Sequence, residues 1–367
     1  MAIHVASREP TREYSNNGGL LPGFTVYSPG KWLPHFYRPR FLADFIERQR
    51  FHQARRLLLK RGCRTVILYI WRSQFASALD VATYDLSCYH IADEYSFSDN
   101  EIPLDETERR LIAGVDQVII TSLGLLDKKG SINPQTLLVP NGVDFKSYAK
   151  PLPEPLDLKP IPHPRIGYTG RIKSTLDWQL LYDLSSRHCR WQFVFVGPHY
   201  PNHPEALKAV QELSHRTNVH FLGSKAVTEL PGYPQHFDVC IMPYRVDSHS
   251  GKFGYPLKLH EYLASGRPVV GSPLRSLQEF YSVIKLAGTV DEWSGALEDS
   301  LSLPANSAQQ VEARRSVARE HDWNKLVGLI ARTMCNRLGP EYLERFEEIS
   351  ICEPALPLIT TGLQAAE

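Results

Sequence analysis

The sequence has little cysteine and no paired cysteine motif. Its 367 residues include six cysteines, which are scattered along the chain without any Cys-x-x-Cys pair. This spacing argues against a structural zinc site, and it favours the reduced thiols of a cytosolic protein over a disulfide framework. We therefore expect a cytoplasmic protein.

The chain also lacks an excess of charge of one sign and a long apolar run. Lys and Arg total 41 residues against 40 Asp and Glu, so no overall field indicates a nucleic-acid partner. No apolar run approaches the ~18 residues that a membrane-spanning helix needs, and the amino-terminal residues are too polar for a signal peptide. The chain is therefore predicted to be soluble or bound at a membrane surface.

Charge is nevertheless uneven, with a basic segment at residues 31–64. Ten Lys or Arg lie here against Asp44 and Glu47, and apolar residues interleave at roughly helical spacing. A basic amphipathic helix is typical of segments that contact anionic lipid headgroups at the inner face of a membrane. The pattern is also typical of a solvated outer helix of an α/β layer, and the sequence leaves both interpretations open.

Short apolar segments alternate with helical ones along most of the chain, which predicts parallel α/β domains. Six prolines between residues 151 and 164 indicate a semi-rigid connection between two such runs. The predicted units are an amino-terminal domain at 1–150, the linker at 151–164, a carboxyl-terminal domain at 165–340 and a tail at 341–367.

The amino-terminal domain departs from the usual pattern at its start. Residues 2–6 and 24–28 read as strands, but the residues between them favour turns rather than a helix. A parallel α/β domain normally inserts a helix between neighbouring strands. We therefore expect the first strand, loop and helix of this domain to be missing.

Acidic residues follow a predicted strand at 86–91. Asp93 and Glu94 come directly after its end, and open α/β sheets bind ligands at the carboxyl edge of their strands. Both are candidate catalytic residues. Acidic residues are also favoured near the positive pole at the start of a helix, which is the structural alternative.

Glycines and basic residues follow the first strands of the second domain. Gly170, Arg171 and Lys173 come after the strand at 166–169, and Gly197 ends the next strand. A basic loop between a strand and a helix suits a phosphate group, so these residues are predicted to bind a phosphorylated ligand.

The most informative stretch is at residues 250–271. Its first part, Ser250-Gly251-Lys252-Phe253-Gly254, is a flexible run whose amides could surround an anion. A helix follows, predicted to begin with Pro256 at its first position and to end at Gly266, and Lys258 and Glu261 share one of its faces. A sugar nucleotide would place its diphosphate at the amides and its ribose at Glu261, whereas the structural alternative is a helix packed on a sheet.

Several motifs occur in the order of one known family. They are VPNGVD at 139–144, GYTGR at 167–171, FVGP at 195–198, NVHFLG at 218–223, KLHEYLASGRPVV at 258–270 and HDW at 321–323. Over residues 60–337 the chain resembles the GT-B glycosyltransferases of group 1, or family 4, and in particular bacterial members that build capsule, exopolysaccharide or cell-wall polymers.

The resemblance implies two Rossmann-like domains that face each other across a cleft. It implies a nucleoside-diphosphate sugar bound mainly by the second domain and a glycan or lipid-linked acceptor facing the first. By position, Glu261 matches the glutamate that binds the donor ribose, Arg171 matches a basic residue near the diphosphate, and Lys258 lies close to that site. No metal or other cofactor is expected, because basic side chains and helix dipoles stabilise the leaving diphosphate.

The chain departs from the family pattern within the donor site. Phe253 stands where many members carry a second glutamate, eight residues before Glu261. Leu176 stands where a lysine usually follows the arginine, so Lys173 is a candidate substitute. These departures, with the missing first loop, leave open a protein that binds the donor without transferring it. A sugar-nucleotide epimerase of the same fold is a further alternative.

The resemblance gives Asp93 two alternative roles. Related inverting enzymes place a proposed general base in a similar context, and Asp93 would then deprotonate the acceptor hydroxyl. If the reaction retains configuration, as it generally does in family 4, Asp93 would orient the acceptor instead.

Overall fold

The computed structural model describes residues 2–5, 24–27, 40–94, 104–198 and 204–352. These residues form three parallel sheets of two, four and six strands. Strands β1 (Ala2–Val5) and β2 (Phe24–Tyr27) pair only with each other, with Ala2 opposite Phe24. The α/β fold class predicted from the alternating pattern is confirmed.

The four-stranded sheet organises the first domain. Its strands follow one another in the order of the chain: β3 (Ile67–Ile70), β4 (Leu86–Ile91), β5 (Gln117–Ile120) and β6 (Thr136–Leu138). Strands β4 and β5 are buried along their whole length, as expected for the inner strands of a parallel sheet. The associated helices are α1 (Arg40–Lys60), α2 (Ala78–Val81), α3 (Glu106–Gly114) and α4 (Leu123–Lys129), whereas α5 (Phe145–Ala149) packs Tyr148 into a buried cluster of the six-stranded sheet.

The six-stranded sheet organises the second domain. Its strands are β7 (Arg165–Thr169), β8 (Gln192–Val196), β9 (Val219–Phe221), β10 (Val239–Met242), β11 (Val269–Gly271) and β12 (Lys285–Leu286), in the spatial order β12-β11-β10-β7-β8-β9. The chain therefore proceeds to one side from β7 and then to the other side from β10. Such a switch leaves a crevice at the carboxyl edge, where open α/β sheets bind ligands.

The helices of the second domain cover both faces of this sheet and enclose its buried clusters. They are α6 (Trp178–Arg187), α7 (Pro204–Ser214), α8 (Gly232–Gln235), α9 (His249–Phe253), α10 (Lys258–Ser265), α11 (Val290–Leu301) and α12 (Ala308–Glu320). The proline-rich segment 151–164 also packs here, through buried Leu158 and Ile161. The linker is therefore tied to the second domain along its length.

The chain then crosses back to the first domain. The Val143 amide donates to the His321 carbonyl (3.0 Å), and the Trp323 amide donates to the Val143 carbonyl (3.0 Å). Helix α13 (Trp323–Leu338) begins at this crossing and packs Leu326 and Met334 against the first sheet. Helix α14 (Pro340–Cys352) follows. Thus α13 comes after the second sheet in sequence but packs on the first, while the predicted boundaries at 150, 164 and 340 stay predictions.

Two local predictions near the central helix need correction. Helix α10 begins at Lys258 rather than at Pro256, because the Pro256 carbonyl accepts a bond from the Leu259 amide in a tight turn that precedes the helix. Its predicted end at Gly266 is confirmed, since this residue has φ 82° and left-handed geometry. The predicted loop before it contains helix α9.

After β11 the chain forms a 3-10 helix over Arg275–Phe280. Within the described part of the chain, no helix is both long and apolar enough to cross a membrane.

Candidate active site

The carboxyl edge of the second sheet is built on two glycines. The Gly170 amide donates to the Val196 carbonyl (2.8 Å), which ties the end of β7 to the end of β8. Gly197 has φ +149°, and a Cβ atom there would lie 2.0 Å from the Gly170 carbonyl oxygen. Only glycine fits this contact, so the two residues predicted to flank a phosphate do hold the two loops together.

Lys258 reaches this glycine edge from α10. Its Nζ atom donates to the Tyr244 hydroxyl (2.5 Å) and lies 4.8 Å from the centre of the Tyr168 ring. A Cβ atom on Gly170 would lie 3.1 Å from the same ammonium. The Lys258 charge is therefore held at the carboxyl end of β7, where the sequence predicted a diphosphate.

Glu261 lies one turn further along α10 and shares the site with Lys258. Burial raises the pKa of its carboxyl above the ordinary value, while the Lys258 charge and a hydrogen bond from Tyr148 act in the opposite direction. Tyr148 belongs to α5, which contacts α10. The helix that follows the first sheet in the chain thus contributes a side chain to the predicted ribose site.

The loop after β7 carries the other two predicted basic residues. The Arg171 carbonyl accepts a bond from the Tyr168 hydroxyl (3.0 Å), and this fixes the backbone of the loop. Lys173 lies two residues further along, and its charge acts on Asp93 of the first domain. The loop therefore brings positive charge to the cleft between the domains.

Asp93 faces this cleft from the end of β4. Its side chain reaches solvent, but the protein crowded around the carboxyl removes much of its hydration and raises the pKa. A hydrogen bond from the Glu94 amide (2.8 Å) and the charge of Lys173 limit that rise. Asp93 is thus a carboxyl that an acceptor in the cleft could reach.

Glu94 has a different environment from Asp93. Its carboxylate pairs with Lys128 (3.2 Å) and Lys129 (3.1 Å), and Lys129 is fully buried and also bonds Glu108 (2.8 Å). The two neighbouring candidates therefore separate in the structure, because Glu94 is engaged in ion pairs that hold α4. Of the two, Asp93 is the better placed for a substrate.

The segment at 250–253 was predicted to offer its amides to an anion. In the structure the Gly251 amide donates to the Ser248 hydroxyl (3.0 Å), and the Lys252 amide donates to the Ser248 carbonyl (3.1 Å). These two amides are already used inside α9, so the interpretation of this run as an anion cradle is not supported. The Ser250 side chain lies outside the described residues.

Phe253 was also predicted to contact the donor. Its buried ring instead packs in the core cluster of the first domain, and Lys128 Nζ lies 4.9 Å from the ring centre. The Phe253 carbonyl accepts a bond from the Ser122 hydroxyl (2.5 Å). The residue that replaces the usual glutamate is therefore a contact between the two domains.

Sequence reasoning missed the tyrosines that surround Lys258 and Glu261. Tyr168 ends β7, Tyr244 follows β10, and Tyr262 accepts a bond from the Thr169 amide through its hydroxyl (2.8 Å). The available signal was the position of Tyr168 and Tyr244 at strand ends on either side of the switch. Among the residues described, no cluster of three or more His, Cys, Asp or Glu is arranged to hold a metal ion.

Comparison with known proteins agrees with this architecture. Residues 163–298 match the family model of the group 1 glycosyl transferases. The chain is 30% identical over 234 residues to a putative teichuronic acid biosynthesis glycosyltransferase of Bacillus subtilis. The match covers 61% of this chain and spans 57% of the length of that relative.

Solved structures show the same fold at low sequence identity. A sucrose-phosphate synthase of Thermosynechococcus elongatus has a TM-score of 0.62 at 17% identity, over 90% of this chain and 84% of that one. Anabaena HepE, solved with UDP and glucose, has a TM-score of 0.61 at 15% identity, over 90% and 86% of the two chains. The resemblance to the group 1 glycosyltransferases stated from the motifs is confirmed, and the chain has the GT-B fold.

Proposed function

We propose that the protein transfers a sugar from a nucleoside-diphosphate sugar to a glycan or lipid-linked acceptor in polysaccharide biosynthesis. The observation that carries this proposal is the placement of Lys258 and Glu261 one turn apart on α10, at the carboxyl edge of the second sheet. A cation and a carboxylate at this spacing match the diphosphate and the ribose hydroxyls of such a donor.

In the proposed complex, Glu261 accepts hydrogen bonds from the ribose. Lys258, Arg171 and Lys173 neutralise the charge that develops on the leaving diphosphate. The Gly170–Gly197 contact lets the backbone approach the phosphates closely. In this proposal the reaction needs no metal ion, because these three cations supply the positive charge that stabilises the leaving diphosphate.

The acceptor is proposed to bind beside Asp93. In an inverting reaction, Asp93 takes the proton of the attacking hydroxyl, and its raised pKa makes it a stronger base than an ordinary aspartate. In a retaining reaction the same carboxylate orients that hydroxyl. The teichuronic acid assignment of the relative favours a growing cell-wall glycan as the acceptor.

The protein is proposed to work in the cytoplasm at the inner face of the membrane. The cysteines whose side chains are described are free thiols, and α1 exposes Phe41 (70%) and Phe45 (58%) near its basic residues. Sedimentation with vesicles of anionic lipid tests this contact. Binding that is no stronger than to neutral vesicles would contradict it.

A donor screen tests the proposed function. Thermal shift with uridine, guanosine and adenosine diphosphate sugars should identify a donor that raises the melting temperature. Incubation of that donor with glycan acceptors should then release the nucleoside diphosphate. Binding without release would favour the non-transferring alternative, and an isomerised sugar formed without acceptor would favour an epimerase.

A further inference from the structure

The contacts described for the Lys258 ammonium are with neutral groups, which distinguishes this half-buried cation from the fully buried Lys129. Its hydrogen-bond acceptor is the Tyr244 hydroxyl at 2.5 Å. Its Nζ atom also lies 4.8 Å from the Tyr168 ring centre and 5.2 Å from that of Tyr244. Aromatic faces attract a cation through their quadrupole without cancelling its charge.

Lys129 provides the contrast within the same chain. It is fully buried, and its ammonium bonds two carboxylates, Glu94 (3.1 Å) and Glu108 (2.8 Å). These two ion pairs neutralise the Lys129 charge, so the residue stabilises the fold. The Tyr244 hydroxyl, in contrast, forms no ion pair with Lys258. It fixes the position of the ammonium, whose positive charge can still attract an anion.

The same tyrosine that lies beside Lys258 also fixes the loop of Arg171. Tyr168 contacts the Lys258 ammonium with its ring and donates its hydroxyl to the Arg171 carbonyl (3.0 Å). Tyr244 follows β10, the strand that lies beside β7 at the topological switch. The two tyrosines therefore connect the basic residues proposed for the diphosphate to adjacent strands of a rigid sheet.

We propose that Tyr244 is a positioning residue that holds the Lys258 ammonium over the end of β7, ready to bind the donor diphosphate. The proposal rests on the proposed function. The Tyr168 ring packs against the same ammonium, and its hydroxyl fixes the Arg171 loop by donating to the Arg171 carbonyl. Because a preorganised cation loses less freedom on binding, removal of the Tyr244 hydroxyl should weaken recognition of the diphosphate and leave recognition of the nucleoside intact.

Calorimetry on the full chain tests this inference. UDP, ADP and GDP are titrated first, and the tightest binder is then compared with its nucleoside monophosphate. We expect Tyr244→Phe to weaken diphosphate binding about threefold to tenfold, the range for one hydrogen bond, and to leave monophosphate binding unchanged. Tyr244→Gln, which restores a neutral acceptor, should recover part of the loss.

A double-mutant cycle asks whether Tyr244 acts through Lys258. In a Lys258→Met background, Tyr244→Phe should have no further effect on diphosphate affinity. Tyr233→Phe is the matched control, because the Tyr233 hydroxyl also forms a hydrogen bond to a side chain, in this case as the donor to Asp157 (2.9 Å). It should leave nucleotide affinity unchanged.

Three results would overturn the inference. They are an unchanged diphosphate affinity in Tyr244→Phe, an equal fall for diphosphate and monophosphate, and a full effect of the substitution in the Lys258→Met background. If Tyr244→Phe fails to fold, Tyr244→Gln decides the case. Because this variant keeps a neutral acceptor, complete loss of its preference for diphosphate over monophosphate would contradict the positioning role. If the wild-type chain binds none of the three nucleotides, the proposed function falls together with the inference.

Discussion

At the scale of single residues, the site depends on Glu261, whose buried surroundings disfavour the charged form of its carboxyl. Burial raises the pKa of Glu261, and the nearby Lys258 and Tyr148 only partly compensate. A protonated carboxyl accepts fewer hydrogen bonds from ribose hydroxyls than a carboxylate does. As the pH is lowered, donor affinity should therefore begin to fall at a higher pH than it would with an ordinary glutamate.

The first prediction concerns this pH dependence. Because the pKa is raised above 4.5, the carboxylate is lost earlier as the pH falls from 8, and nucleotide binding should weaken over that range. Glu261→Gln should bind less tightly at pH 8 and should lose this part of the dependence. Calorimetry at several pH values measures both, and the titration of the ligand phosphate is common to the two proteins. Identical pH profiles would contradict the assignment.

Some site residues could be predicted from the sequence because their signals are local. Gly170 and Gly197 follow strands, and Lys258 and Glu261 share a helical face by spacing alone. Tyr148 could not be predicted, because it lies far from Glu261 in the sequence and reaches it only through a tertiary contact. Two amides of the cradle predicted at 250–253 bond to Ser248, and the sequence did not reveal these contacts.

At the scale of elements, α4 is anchored by a buried charge. Lys129 ends this helix with its side chain fully buried, and it joins Glu108 of α3 to Glu94 after β4. Asp93, the proposed acceptor carboxyl, is the neighbour of Glu94. The position of the acceptor side therefore depends on an ion network that gives no sequence signal beyond scattered charges.

The second prediction concerns this network. Lys129→Met should destabilise the protein by about 3–5 kcal/mol, because it leaves two carboxylates buried with less compensation. Lys208→Met is the control, since Lys208 forms an exposed pair with Glu212 (3.8 Å), and exposed pairs contribute about 0–1 kcal/mol. Thermal unfolding compares the two variants. Equal melting temperatures would show that the buried network does not stabilise the fold.

Element types were largely predictable, whereas element partners were not. The alternation of apolar and helical segments identified the strands of both sheets, since the period is a local property. The packing of α13 on the first sheet depends on Leu326 and Met334 meeting Leu86 and Cys88. Residues so distant in sequence carry no pattern that links them. Helix α9 was not predicted, because it contains a glycine, which usually indicates a turn.

At the scale of the whole molecule, the two domains meet through α9 and the start of α4. Ser122 bonds the Phe253 carbonyl (2.5 Å), Asn141 bonds the Tyr255 carbonyl (2.9 Å), and Arg275 pairs with Asp127 (2.6 Å). The first two contacts involve residues just before α10 in the chain, and Arg275 follows this helix. The distance between the donor and acceptor sides is thereby set by a few contacts at one edge of the cleft.

The third prediction concerns the addition of one methyl group at this contact between the two domains. A Cβ atom on Gly124 would lie 2.2 Å from the Lys252 carbonyl oxygen, so the backbones of the two domains must move apart. Gly124→Ala should destabilise the protein by about 1–3 kcal/mol. Gly295→Ala in α11 is the control, because a Cβ there meets nothing and alanine favours a helix by about 0.5–1 kcal/mol. Thermal unfolding in which both variants behave alike would contradict the close contact.

The most direct test of the account is the affinity of Glu261→Ala for the nucleoside diphosphate that the wild-type chain binds best. The account places the donor ribose on this carboxylate, so loss of a charge-assisted hydrogen bond, about 1.5–3 kcal/mol, should weaken binding by about tenfold or more. Calorimetry measures this against the wild-type chain, with circular dichroism to verify folding. An affinity equal to that of the wild-type protein would contradict the assignment of the donor site.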